Sequence, residues 1–164
     1  MESMFKEPNE SKIKTDGKHI LIVDDDVNML RSMEFILEAA GFEVSTGKDG
    51  KEGLEKILAA RPSGQRIDLL ISDIQMPGLS GLQLIDELRR RSIRMPVLVV
   101  TAYGDSELRR EVMKRGGALL SKPFNDENFV QIVFWILEKN GNGSDPPRTK
   151  NEGESDRTPK EEIS

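Results

Sequence analysis

The sequence predicts an α/β fold: a five-stranded parallel sheet in a doubly wound (βα)5 arrangement, with helices on both faces. Short, nearly continuous apolar runs alternate with longer segments whose apolar residues recur every three or four positions. These patterns are typical of buried parallel strands and of amphipathic helices. The strand-then-helix unit recurs five times, which requires right-handed crossovers between parallel strands. A chain of 164 residues allows one such domain with flanking segments.

The predicted strands are short and apolar. The second is the weakest, because polar side chains interrupt it. In chain order the strands comprise residues 19–23, 42–46, 68–72, 96–100 and 118–120. In doubly wound sheets, ligands bind beyond the carboxyl ends of the strands, so functional residues are expected there.

Each strand is followed by a predicted helix with one apolar stripe. The stripes of the first four helices consist of Leu30, Met33, Leu37 and Ala40; Leu54, Ile57 and Leu58; Leu84, Ile85 and Leu88; and Leu108, Val112 and Met113. The fifth helix contains the apolar segment 129–137. Residue types that cap helices mark the starts, namely Asp26, the capping box from Ser80 to Gln83, Asp105, and Asn125 or Asp126.

Residues 18–140 form the predicted domain, and two polar segments flank it. Residues 1–17 show neither helical nor strand periodicity, which predicts a flexible leader. Residues 141–164 contain one large aliphatic side chain, Ile163, among many charged residues, glycines and prolines. Such a segment buries too little apolar surface to offset its ordering entropy, so we expect a disordered polar tail.

Composition excludes several classes of site. The chain has no cysteine and one histidine, His19, which excludes disulfides, thiolate zinc sites and histidine-rich metal cages. A net charge of −5 argues against nucleic acid as the main partner. The amino-terminal segment is charged, and no apolar run approaches the roughly 18 residues of a membrane span. We therefore expect a cytoplasmic protein, bound neither to membranes nor directly to nucleic acid.

Carboxylates follow two of the predicted strands. Asp24, Asp25 and Asp26 follow the first strand, and Asp73 follows the third. Taken alone, an acidic triplet is a common helix start, where it complements the helix dipole, and a single aspartate is a common turn residue. Because the carboxyl ends of parallel strands meet at one edge of the sheet, these side chains are expected to lie together.

A hydroxyl and an ammonium group are expected at the same edge, since Thr101 follows the fourth strand and Lys122 the fifth. Both groups donate hydrogen bonds to phosphate oxygens, and Mg²⁺ binds carboxylates that would otherwise repel one another. An aspartate can be a nucleophile that forms an acyl phosphate. The combination predicts phosphoryl transfer onto Asp73, with charge neutralised by Mg²⁺ and Lys122.

Four segments resemble, in order and spacing, the receiver domain of response regulators in two-component signal transduction. They are ILIVDDD, DLLISDIQMPGLSG, VLVVTAY and SKPF. The resemblance covers residues 18–140, is to single-domain regulators of the chemotaxis type, and implies the flavodoxin-like receiver fold. It implies that a sensor histidine kinase or a phosphotransfer protein donates a phosphoryl group from a phosphohistidine, and that this phosphorelay switches binding of a downstream protein. It also implies that the chain catalyses its own phosphorylation and dephosphorylation and is not a turnover enzyme.

The resemblance implies a metal-binding role for several of these residues. Asp73 would be the phosphoacceptor and, with Asp25, a direct ligand of Mg²⁺. Asp24 would bind the ion mainly through water, and the backbone carbonyl of Gln75 would complete the protein ligands. Asp26 takes no such role and is interpreted as a helix-start residue.

Further roles are implied around the phosphoryl group. Thr101 would bond to it and move with it, while Lys122, joined to Pro123 by a cis peptide, would pair with a phosphoryl oxygen. The family usually has tyrosine or phenylalanine at the switch position that Leu119 occupies here. Leucine can still move into the space that Thr101 vacates, but it has no ring to swing.

Two consequences are expected outside the reacting groups. Gln75, Ala102 and Tyr103 would modulate hydrolysis, with the Tyr103 ring blocking the approach of water. The output surface would be the fourth helix, fifth strand and fifth helix. On that surface Phe134 and Trp135 flank the apolar stripe of the fifth helix, where burial by the sheet alone is doubtful, so they could contact a partner or a second copy of the chain, or fold back against neighbouring helices.

Three alternatives remain open at this stage. Asp24 and Asp26 match the D-x-D motif of haloacid-dehalogenase-like phosphatases, although Asn28 does not fit that motif and the chain has no room for a cap domain. The chain could instead be a receiver-like module that is not phosphorylated, or a receiver cut from a longer DNA-binding regulator.

Two clusters of cationic residues are interpreted mainly as solvated helix ends and secondarily as docking sites for an acidic partner. They are Arg89, Arg90, Arg91 and Arg94, and Arg109, Arg110, Lys114 and Arg115.

Overall fold

The computed structural model describes residues 17–139. The leader predicted for residues 1–17, apart from Gly17, and the tail predicted for residues 141–164 lie outside the described residues. The described part contains the ten predicted elements. They are β1 (His19–Val23), α1 (Val27–Ala39), β2 (Glu43–Gly47), α2 (Gly50–Ser63), β3 (Leu69–Ser72), α3 (Gly81–Arg90), β4 (Val97–Thr101), α4 (Ser106–Lys114), β5 (Ala118–Ser121) and α5 (Asp126–Lys139).

The strands form one parallel sheet in the order β2-β1-β3-β4-β5. Successive side chains of a strand point to opposite faces, and each face of this sheet supports its own apolar cluster. Ile20 and Ile22 face the cluster beneath α1 and α5, whereas Leu21 and Val23 face the cluster beneath α2, α3 and α4. The predicted fold class, a doubly wound five-stranded α/β sheet, is confirmed.

Helix starts follow the predicted capping chemistry. Asp26 caps α1 by accepting the backbone N–H groups of residues 28 and 29, and the capping box from Ser80 to Gln83 opens α3. At the start of α5, where two residues were candidates, the Asn125 side chain accepts the N–H of Asn128. Such caps satisfy backbone donors that the helix leaves unpaired, each worth about 1 kcal/mol.

Six strand boundaries, spread over β2 to β5, differ from the prediction by one residue. β2 and β4 begin and end one residue later than predicted, and β5 ends one residue later. β3 begins at Leu69, and the Asp68 side chain just before it accepts the backbone N–H of His19 at 2.9 Å. β4 runs one residue further than predicted, since Thr101 pairs with Ser121 of β5. Thr101 is therefore the last residue of the strand and not the first residue after it.

One apolar residue, Met113, differs from its predicted environment, and two others, Phe134 and Trp135, adopt one of the arrangements that the sequence left open. Met113 was assigned to the apolar stripe of α4 but is 45% exposed, because that helix of nine residues buries only Val112 fully. Phe134 and Trp135, whose burial was doubtful, are half-buried and pack against the cluster beneath α1 and α5. The Phe134 ring lies 5.4 Å from that of Phe42, which directly precedes β2.

An ion-pair cluster joins α3 to the end of α4. The Arg115 guanidinium donates to both carboxylate oxygens of Asp86, at 2.8 and 3.2 Å, and to Glu111 at 3.0 Å. The hydrogen bonds from Arg115 hold the pKa of Asp86 below its usual value. The two-oxygen contact fixes the helices relative to each other in a way that a single surface ion pair does not.

Replacement of Asp86 by asparagine should lower stability in a pH-dependent way. Because the pKa of Asp86 is lowered by folding, its contribution is complete above the unfolded-state pKa and disappears as pH falls through the folded-state pKa. Partial exposure limits the loss at pH 7 to about 1 kcal/mol. Urea unfolding of wild type and Asp86→Asn at pH 7 and at pH 3 measures this, with Glu107→Gln on the exposed side of α4 as control. A difference that is equal at the two pH values would contradict this role of the ion pair.

Candidate functional site

Backbone hydrogen bonds place the predicted site residues at the carboxyl edge of the sheet. Beyond the strands themselves, the N–H of Asp24 donates to Gly47 at 3.1 Å and that of Asp73 to Val23 at 3.1 Å. The N–H of Lys122 likewise donates to Thr101 at 2.8 Å. The parallel ladders therefore extend one residue past β1, β3 and β5. Main-chain bonds thus hold two carboxylates at the ends of adjacent strands β1 and β3, and an ammonium group at the end of β5.

Three carboxylates converge at this edge. Carboxylate oxygens of Asp24, Asp25 and Asp73 all lie within 4.8 Å of one another. Asp24 is completely buried, Asp73 is partly buried and Asp25 is exposed. Asp26 is not part of the group, since its side chain caps α1. That capping contact also removes the structural support for the D-x-D phosphatase motif, which needs the side chain of Asp26 at the site.

Asp24 has one satisfied and one unsatisfied oxygen. Oδ1 accepts the backbone N–H of Asp26 at 2.9 Å, whereas buried Oδ2 has no hydrogen-bond partner and lies 3.6 Å from Lys122 Nζ. Burial raises the pKa of Asp24, although the Asp26 N–H and the Lys122 charge oppose the rise. A buried carboxylate oxygen without a donor is costly unless a cation binds it.

Asp73 is held by its neighbours on both oxygens. Oδ1 accepts the N–H of Ile74 at 2.6 Å, and Oδ2 lies 3.7 Å from Lys122 Nζ. Lys122 thus stands between the carboxylates of Asp24 and Asp73, at similar distances from both. The Lys122–Pro123 peptide is cis, as the resemblance implied.

The residues for which hydroxyl, switch and modulating roles were predicted lie around this centre. Thr101 is buried, and its Oγ1 accepts the N–H of Tyr103 at 3.2 Å. Leu119 is buried too, whereas Gln75 and Ala102 are exposed. The side chain of Tyr103 is 68% exposed, so the ring extends largely into solvent in this state.

Two glycines at the site were not identified as functional from the sequence. A Cβ on Gly81 would lie 2.2 Å from the Asp73 carbonyl oxygen, so only glycine lets the start of α3 approach the strand end. A Cβ on Gly104 would lie 2.6 Å from Ser121 Oγ and 2.8 Å from Leu119 Cδ2. No sequence signal distinguishes these two glycines, because the close approaches involve elements that are distant in sequence.

The donor set suits Mg²⁺. The ion prefers carboxylate oxygens and retains several waters, and here a buried oxygen of Asp24 without a hydrogen bond lies beside two further carboxylates. The exposure of Asp25 leaves room for waters. Softer metals that need cysteine or several histidines have no ligands in this chain.

Comparison with known proteins identifies the family. The protein-family model described as the response regulator receiver domain matches residues 20–134 of this chain. The chain belongs to the response-regulator receiver family. The resemblance noted in the sequence is thereby confirmed, and the haloacid-dehalogenase alternative is excluded. As a family, receiver domains of two-component systems bind Mg²⁺ and interact with histidine kinases or phosphotransfer proteins.

Curated relatives of this receiver domain are transcription regulators. It is 34% identical over 116 residues to the transcriptional regulatory protein FixJ of Bradyrhizobium diazoefficiens, covering 70% of this chain and 54% of that protein. It is 30% identical to the alkaline phosphatase synthesis transcriptional regulatory protein PhoP of Bacillus subtilis, covering 83% of this chain and 55% of that protein. The chain thus spans about half the length of these relatives.

Solved structures similar to this receiver domain include a chemotaxis protein. Chemotaxis response regulator CheY4 of Vibrio cholerae is 31% identical, with a TM-score of 0.66, over 73% of this chain and 98% of that chain. TrrA of Thermotoga maritima, solved with Mg²⁺ and beryllofluoride, is 30% identical, with a TM-score of 0.62 and the same coverage. Because the curated relatives regulate transcription, the similarity does not single out the chemotaxis type. Within residues 17–139, no helix is both long and apolar enough to cross a bilayer.

Proposed function

We propose that this receiver domain accepts a phosphoryl group on Asp73 from a phosphohistidine of a sensor histidine kinase or phosphotransfer protein. One observation supports this most: Lys122 lies 3.6 and 3.7 Å from two carboxylates on adjacent strands. A cation that lies between two carboxylates can also neutralise the negative charge of a phosphoryl group that is transferred to one of them. The domain acts as a cytoplasmic signalling module and catalyses only its own phosphorylation and dephosphorylation.

Each side chain has a defined part in the transfer. A carboxylate oxygen of Asp73 attacks phosphorus, the P–N bond breaks, and the imidazole of the donor leaves with its electron pair. Lys122 neutralises charge on a phosphoryl oxygen, and Thr101 releases the N–H of Tyr103 to donate its hydroxyl to another. Asp24, Asp25, Asp73 and the Gln75 carbonyl would hold Mg²⁺, which supplies further neutralisation of the phosphoryl oxygens.

An apolar groove beside the site suits docking of the donor. It lies between α1 and the loop after β5, has a volume of about 320 Å³ and reaches Lys122. Phe35 at its rim is 72% exposed, and Val27 at the start of the same helix is 53% exposed. Large exposed apolar side chains next to a reacting group mark a surface that a partner covers.

The output of the switch is proposed to be the surface of α4, β5 and α5. The loop before α4 packs on Leu119 and Ser121 through Gly104, so a displaced Thr101 changes that packing first. Leu119, which has no aromatic ring, moves into the space that Thr101 vacates. Phosphorylation changes the relative populations of the packing before this movement and the packing after it. A downstream protein or a second copy of the chain binds the altered surface, with no direct contact to nucleic acid.

Nuclear magnetic resonance with beryllofluoride, which mimics the phosphoryl group, tests this proposal. Addition of beryllofluoride and Mg²⁺ together should shift the amide signals of Asp73, Thr101 and Lys122, and those of α4 and β5. Either compound alone should give small shifts, and Asp73→Asn with both compounds should give no larger shifts than Mg²⁺ alone gives. Shifts confined to the immediate surroundings of Asp73 would contradict the proposed output surface, and their absence would contradict the proposed acceptor.

Removal of the Tyr103 ring should speed dephosphorylation several-fold. We propose that the ring, two-thirds exposed in the present state, folds over the phosphoryl group once Thr101 has released the Tyr103 N–H, and there blocks the line of water attack. Tyr103→Ala and the control Tyr103→Phe, which keeps the ring, are compared by the decay of the phosphorylated form at fixed Mg²⁺. Equal half-lives for Tyr103→Ala and wild type would show that the ring stays in solvent.

A further inference from the structure

A groove with cationic walls crosses the edge of the sheet opposite the phosphoacceptor. Two adjoining depressions, of about 300 and 700 Å³, share Arg66, Arg94 and the segment 93–96. We call the two depressions together the basic groove, since seven cationic side chains line them: Lys18, Arg61, Arg66, Arg89, Arg94, Lys114 and Arg115. These residues precede strands or end helices, which places them at the amino-terminal edge, away from Asp73.

The charges of the basic groove are only partly neutralised. Arg66 pairs with Asp68 at 3.1 Å, and Lys114 lies 3.6 Å from Glu111. Arg115, which also lines the groove, is occupied by Asp86 and Glu111. Lys18, Arg61 and Arg94 form no salt bridge among residues 17–139, and Arg89 lowers the pKa of Asp86 through its charge without forming a salt bridge. The groove is thus a local excess of positive charge on a chain whose net charge is −5.

Helix-end electrostatics account for only part of this cluster. Arg61 and Arg89 lie in the last turns of α2 and α3, where cations complement the helix dipole. Lys18 and Arg94 lie outside helices and gain nothing from that effect. Apolar side chains, among them buried Ile93, also line the groove. Cationic and apolar side chains in one groove suit an acidic peptide segment, whose charged side chains and backbone can contact both.

We propose that the acidic segment 152–156 of the same chain binds the basic groove. Leu137, near the end of α5, lines the groove, so the chain leaves the described domain beside it. Residues 152, 154 and 156 are Glu, Glu and Asp, with no cation among the five residues of the segment. The twelve residues from 140 to 151 span roughly 40 Å when extended, which is ample reach. Tethering raises the effective concentration of the segment to about millimolar, so weak pairing suffices.

Paramagnetic relaxation in the full-length chain tests the proposal. Since the chain has no cysteine, Thr158→Cys gives one position for a nitroxide label next to the acidic segment. The label should weaken the amide signals of Arg94, Met95 and Gly116, and high salt should restore them, because exposed charges are screened. Charge reversal in the groove, Arg89→Glu with Arg94→Glu, should restore them as well. The matched control reverses Arg31 and Arg110, which are exposed cations outside the groove.

Two further results distinguish binding of the acidic segment from chance proximity of the label. Neutralising the segment, as Glu152→Gln, Glu154→Gln and Asp156→Asn, leaves the folded domain untouched and should restore the signals to the same extent. Unweakened groove signals in the labelled protein, or weakening that survives both sets of charge changes, would overturn the proposal. If the label does not weaken these amide signals but they shift when a short DNA duplex is added, the groove binds nucleic acid and the proposal is wrong. All of these outcomes are independent of phosphorylation at Asp73.

Discussion

The Asp73→Asn variant is expected to take up no phosphoryl group from acetyl phosphate and Mg²⁺ under conditions that label wild type. The amide is a poor nucleophile and carries no charge for Lys122 to share. The fold should be retained, because the amide oxygen can still accept the N–H of Ile74 that bonds Oδ1 of the carboxylate. The phosphorylated fraction is measured by gel mobility in a phosphate-binding matrix, with hydroxylamine treatment to identify an acyl phosphate.

The Asp86→Asn variant is the matched control, because it removes an aspartate that lies on α3 outside the site. It should be labelled as well as wild type. Full labelling of Asp73→Asn would show that another residue accepts the phosphoryl group, and loss of labelling in both variants would show that the effect is not specific to the site.

The Asp25→Ala variant should lose Mg²⁺-dependent phosphorylation while keeping its fold. Removing a metal ligand should weaken Mg²⁺ binding at least about tenfold, since even outer-shell changes cost that much. In metal-free buffer the variant should be as stable as wild type or more so, because repulsion among the three carboxylates within 4.8 Å is relieved. Mg²⁺ titration of the phosphorylation rate and thermal melting without metal measure the two effects.

Asp26 provides a closely matched contrast at the next position. Its side chain accepts two backbone N–H groups at the start of α1, so Asp26→Ala should destabilise the protein by about 1 kcal/mol. Its carboxylate is not in the cluster, so Mg²⁺ dependence should remain. A reversed pattern, with Asp25→Ala melting well below wild type and Asp26→Ala losing Mg²⁺ dependence, would contradict the assignment of these neighbouring aspartates.

The sequence predicts the fold well because its local and global signals agree. Apolar runs such as 19–23 and 96–100 alternate with helical stripes, and capping residues lie where helices begin. The meeting of Asp24, Asp73 and Lys122 is also predictable, since the ends of parallel strands share one edge. The order of the strands was not predicted, because apolar periodicity does not show which strands pair.

Features that depend on neighbours distant in sequence could not be predicted. The close approaches of Gly81 to Asp73 and of Gly104 to Leu119 become visible only when two elements are placed side by side. The same holds for Phe134, whose half-burial depends on Phe42, ninety-two positions earlier in the chain. Helical periodicity gives the direction of a side chain but not the element that it meets.

Phosphorylation of Asp73 is tested most directly by the intact mass of the protein after incubation with acetyl phosphate, with and without Mg²⁺. We predict an increase by one phosphoryl group, only with Mg²⁺, reversed by hydroxylamine and located on the peptide that contains Asp73. An unchanged mass, an increase that does not need Mg²⁺, or a phosphoryl group on a peptide without Asp73 would contradict this prediction.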